Sequence, residues 1–124
     1  METEVAKHRL EVSFLVKLES AREIPSQLDK ITASMWNSGW NPQGGTLNLF
    51  TRDFGCVLTK SILTRLGGVL IFRSREDVSH LSILWASSKF EAFPFHKVQK
   101  CLHRRTGETM ASFMDGIAKQ VSSP

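Results

Sequence analysis

The chain has 124 residues, 41% hydrophobic and 23% charged, with 16 lysines and arginines against 12 aspartates and glutamates and a net charge of +4. That is the length and balance of one folded domain, which argues against a low-complexity polymer, and two cysteines are too few for a disulfide scaffold. A membrane span is excluded too, since the longest apolar run, Leu66–Phe72, falls far short of the roughly 20 residues a helix needs. We read a single domain over residues 1–124, frayed at 1–6 and 122–124. The start carries Glu2 and Glu4 and lacks the basic-then-apolar order of a signal peptide, so an intracellular setting, cytoplasm or nucleus, is expected.

Leu10, Val12, Phe14, Val16 and Leu18 alternate with Arg9, Glu11, Ser13, Leu15 and Lys17. This predicts a strand over His8–Leu18 with one face buried, as in an antiparallel sheet. A helix is predicted around Pro25, which suits a first turn. Ile24, Leu28, Ile31 and Met35 form its apolar stripe, Trp36 widens the stripe, and Gly39 stops the helix. Asn41–Gly45 reads as a loop and Thr46–Thr51 as a short strand.

Gly55–Leu66 fits two descriptions. Leu58, Ile62 and Leu66 recur every four residues with Leu63 beside them, which favours a helix ended by Gly67. The same residues also share a strand face, with Leu66–Val69 as a hairpin turn. Val69–Arg73 and His80–Ala86 predict a strand pair across the charged turn Ser74–Asp77, with Leu81, Ile83 and Trp85 on one face. Two helices follow. The first carries Phe95, Val98 and Leu102 and breaks at Arg105–Gly107. Thr106 is placed to cap the second, whose stripe is Met110, Phe113, Met114, Ile117 and Val121. The order predicts an α+β domain: a small, mainly antiparallel sheet of about four strands with two to four helices packed on one face.

The charge is unevenly spread. Residues 52–75 hold Arg52, Lys60, Arg65, Arg73 and Arg75 against Asp53, and residues 89–105 hold Lys89, Lys97, Lys100, Arg104 and Arg105 against Glu91. Each segment sums to +4 and the rest of the chain to −4. Such clustering is the footprint of a polyanion binder, although cations on an exposed helix face also serve solubility alone. The candidate phosphate contacts are Arg65, Arg73, Arg75, Lys97, Lys100, His103, Arg104 and Arg105. Trp40 and Phe90 are the candidates for stacking on unpaired bases. Phe93 and Phe95 read as anchors into the core.

Chemistry-bearing motifs are missing. Gly44-Gly45 and Gly67-Gly68 lack the spacing and the lysine of a phosphate-binding loop. Ser38 stands at a helix end, without the strand and first glycine of a nucleophile elbow. His96, Cys101 and His103 are close in sequence, yet a helix turns Cys101 away from the two histidines, and Cys56 and His80 would have to join them through the fold. No catalytic residue, metal or cofactor is therefore assigned. The leading expectation is a non-enzymatic nucleic-acid-binding protein, for RNA or DNA. The alternative is a self-assembling structural or accessory protein, viral matrix-like or host-interacting. It would lay a basic helix on an anionic membrane or a protein partner and use the methionine-containing stripe Met110–Val121 to form homo-oligomers. An enzyme whose site forms only in three dimensions is the third class. Whether residues 52–75 and 89–105 share a face separates a binding surface from mere solubility.

Overall fold

Helix α1 spans Ile24–Asn37 in a computed structural model that describes residues 22–39, 44–71, 81–103 and 109–122. Pro25 lies in its first turn, and Ile24, Leu28, Ile31 and Met35 are all buried, as their spacing requires. Trp36 is half-buried. The Gly39 amide donates to the Trp36 carbonyl at 3.0 Å and closes the helix. The strand expected over His8–Leu18, the turn Ser74–Asp77 and Thr106 lie outside the described residues.

Helix α2 corrects two expectations. Gly44–Leu66 is one helix of 23 residues, about 35 Å long at the usual rise. Thr46–Thr51 is therefore not a strand, and Gly44-Gly45 opens the helix instead of ending a loop. The helical spacing of Leu47, Phe50 and Phe54 outweighs the alternation of Leu47 with Leu49. The first three are buried, whereas Leu49 is 44% exposed. Between Asp53 and Thr59 every residue is buried. Two full turns thus thread the core and are covered all round, so no clean apolar stripe survives in the sequence.

Of the two descriptions of Gly55–Leu66, the helix is the one adopted. Gly67 ends it with φ 73°, its amide donating to the Leu63 carbonyl at 3.0 Å. Trp85 Nε1 donates to the Leu66 carbonyl at 3.0 Å, satisfying a group that a helix end leaves orphaned. Thr51 and Thr59 lie one turn either side of Gly55, and among the described residues their buried hydroxyls find no hydrogen-bond partner. An unmet buried hydroxyl costs about 1–3 kcal/mol. Thr59→Val keeps the branched shape and removes that penalty, so a urea melt should show a gain of about 1 kcal/mol.

Among the described residues the sheet has three antiparallel strands in the order β1 (Val69–Ile71), β2 (Ser82–Trp85) and β3 (Phe90–Ala92). The pair β1–β2 was expected; β3 was not. Register pairs Leu70 with Ile83 and Ile83 with Ala92, placing all three on one face with Trp85 and Phe90. Val69, Ile71, Ser82, Leu84 and Glu91 share the other face, where the Ser82 hydroxyl donates to the Glu91 carboxylate.

Helix α3 (Pro94–His103) buries Phe95, Val98 and Leu102, and helix α4 (Met110–Ser122) buries Met110, Met114 and Ile117. Thr109, not Thr106, caps α4. Its Oγ1 accepts the Ser112 amide at 3.0 Å, and its own amide donates to Ser112 Oγ at 3.3 Å. Asp29 of α1 completes the end, accepting the Met110 amide at 2.7 Å and the Ala111 amide at 3.0 Å. All four amides that a helix start leaves open are thereby bonded, and a carboxylate faces the positive end of the helix dipole.

Burial pushes the Asp29 carboxyl above its ordinary 3.8, while the Ala111 and Met110 amides pull it back down. A raised value means that the folded chain holds this proton more tightly than the unfolded one. The contribution to stability is therefore full below 3.8 and is lost as pH rises through the folded value. Asp29→Ala should cost about 1 kcal/mol at neutral pH through the lost cap. Urea melts above pH 3.8 should also show that Asp29→Asn makes the change of stability with rising pH more positive than in the parent chain.

Candidate nucleic-acid interface

The decisive asymmetry lies in where the two signs of charge go. Among the described residues, Arg22, Lys30, Arg52, Lys60, Arg65, Lys89, Lys100 and Lys119 are exposed, which makes eight cations. Only two carboxylates, Glu23 and Asp115, are equally exposed. The other three are less exposed. Asp53 is 1% exposed within the central turns of α2, Asp29 caps α4, and Glu91 accepts from Ser82. Folding thus makes the described surface more positive than the composition alone suggests.

The cations do not form one stripe along α2. At about 100° per residue, Arg65 lies about 140° round the helix from both Arg52 and Lys60, and about 20 Å from Arg52 along the axis. Arg65 sits exposed in the last turn. The second basic segment is nonetheless a direct neighbour, because α2 packs more extensively against α3 than against any other described helix. The Phe95 ring of α3 fills the space beside Gly55 of α2.

On α3 the expected phosphate contacts divide. Lys100 is exposed opposite the buried stripe. Lys97 is half-buried, and its Nζ lies 5.4 Å from the centre of the Phe113 ring, so this cation also clasps α4. His103 is the last residue of the helix. Arg73, Arg75, Arg104, Arg105 and Trp40 lie outside the described residues.

Phe90, the other expected stacking residue, is half-buried on the core side of the sheet. Its ring pairs with Trp85 at 6.0 Å between centroids. The exposed ring beside the cations of α3 is instead His96, which stacks on Phe93 at 5.7 Å with 26° between planes. Lys89, counted in the second basic segment but not among the expected contacts, is a second such residue. It is exposed in the turn between β2 and β3 and holds φ at 54°, a left-handed conformation unusual for a lysine. Both features depend on exposure and backbone angle, which sequence spacing does not encode.

Other candidate chemistry is absorbed into the structure. Ser38 Oγ donates to the Met35 carbonyl at 2.9 Å. Cys101 is buried while His96 is exposed, and among the described residues no group of three His, Cys, Asp or Glu side chains is placed to hold a metal ion. Gly67-Gly68 is a helix end and not a phosphate loop. Among the described residues no helix is long and apolar enough to cross a membrane. No family model, no curated protein and no solved structure matches this chain.

Proposed function

We propose that this protein is a non-enzymatic nucleic-acid-binding protein that holds its ligand mainly through phosphate contacts. The observation that carries the reading is the imbalance of eight exposed cations against two exposed carboxylates among the described residues. A surface of that kind draws a polyanion at long range, and each phosphate it neutralises releases counterions. Arg65, Lys97, Lys100 and His103 supply contacts, with Lys89, Arg52 and Lys60 extending the positive surface. Arg73, Arg75, Arg104 and Arg105 keep their assigned place in the two basic segments. We place the activity inside the cell, on an α+β domain with a small sheet of about four strands and its helices on one face.

The alternative, assembly through the Met110–Val121 stripe on a membrane or partner, has less support. Met110, Met114 and Ile117 are buried in the core, and Phe113 and Val121 pack against it.

A mobility-shift series across ionic strength tests the reading: a complex at low salt that dissolves as salt rises is expected, and no shift even at low salt ends it. Lys89→Gly adds a sharper test. Relief of the left-handed strain, about 1 kcal/mol, is partly offset by a more flexible unfolded chain. The variant should therefore be at least as stable as the parent and yet bind more weakly, with a shallower salt dependence.

A further inference from the structure

We propose that the outward side of α3 is a single-strand site, in which an unpaired base stacks on the His96–Phe93 ring pair while Lys100 holds the adjoining phosphate. The inference rests on the nucleic-acid reading and narrows it to one class of ligand and one place. His96 and Lys100 are four residues apart and share one side of the helix. Phe95, Val98, Cys101 and Leu102 are buried against the core on the other. Phe93, half-buried at the start of the helix, lies under the imidazole at 5.7 Å and fixes the plane of an exposed ring.

A histidine ring is one of the flat groups on which unstacked bases settle, and the contact is indifferent to sequence because every base has a face. A duplex hides those faces within its own stack, so a ring of this kind discriminates in favour of single strands. A membrane surface offers phosphate to Lys100 but nothing flat to His96. The paired ring and cation therefore favour nucleic acid over lipid.

The test is fluorescence anisotropy on the full chain with a short labelled single-stranded oligonucleotide and with its duplex. The parent chain should bind the single strand more tightly. His96→Ala should weaken that binding by about tenfold without changing the salt slope, whereas His96→Phe keeps a flat ring and should bind like the parent. Lys100→Ala should make the slope shallower by about 0.7. Unchanged thermal melts of the variants would show that the fold is intact. Parent-like affinity in His96→Ala, or tighter binding of the duplex, would overturn the stacking site and leave the broader reading standing. No binding of either oligonucleotide by the parent chain at low salt would overturn both.

Discussion

Gly55→Ala should destabilise the domain by about 2 kcal/mol or more, despite placing a better helix former in the middle of a helix. An added Cβ would lie 2.3 Å from Phe95 Cδ1, 2.4 Å from Cε1 and 2.9 Å from Cγ. The ring has nowhere to retreat, being 1% exposed between α2 and α3. Overpacking of this kind typically costs about 1–3 kcal/mol, and three sub-contact distances on a rigid ring put it at the upper end. The helix-propensity gain of about 1 kcal/mol offsets only part.

Two comparisons isolate the cause. Gly116 of α4 is exposed with nothing within 4 Å of the corresponding position, so Gly116→Ala should stabilise by about 0.5–1 kcal/mol. Phe95→Ala alone should cost about 3–5 kcal/mol. Added to Gly55→Ala, it should cost clearly less than the two losses summed, because the methyl then occupies space the ring has left. Denaturant melts of the four chains measure the coupling.

Gly68→Ala should be the more damaging of the two glycine changes, at about 3 kcal/mol, because steric and backbone costs act together. Gly68 holds φ at 98°, and a Cβ there would meet Ile83 Cγ2 at 2.5 Å, Trp85 Cε2 at 2.9 Å and Trp85 Nε1 at 3.0 Å. The indole sits this close to the backbone because its Nε1 donates to the Leu66 carbonyl, locking the end of α2 to β2. Trp85→Phe removes that hydrogen bond and leaves one carbonyl unmet, so it should cost about 1 kcal/mol through this route. A thermal melt that placed Gly68→Ala at or above the parent would show that the helix end and the sheet are not joined in this way.

Local regularity decided what the sequence revealed. In α1, and in the stripes Phe95–Val98–Leu102 and Met110–Met114–Ile117, one side of a helix is buried, and the 3.6-residue period survives in the residues. The centre of α2 is covered on every side, so its period is lost, and the Leu47/Leu49 alternation imitates a strand at one end. Strand β3 is three residues long, and its face is set by the partners Ile83 and Trp85 and not by any alternation of its own.

The candidate interface was legible only as charge. Positions 52–75 and 89–105 stand out by count, but the sequence does not show that Asp53 is buried while Asp29 and Glu91 are half-buried against partners of their own. Nor does it show that Phe90 is held by Trp85 while His96 stays exposed. Those outcomes depend on partners distant in the chain: Asp29 meets α4 across more than 80 residues. They become visible only once the helices are packed.

Affinity for a single-stranded oligonucleotide as a function of salt tests the functional account most directly. With at least three phosphates held, the logarithm of the association constant should fall linearly with the logarithm of salt, with a slope of about −2 or steeper. Lys89→Gly and Lys100→Ala should each make it shallower. A slope near zero, or one that these variants leave unchanged, would contradict the claim that the exposed cations bind phosphate.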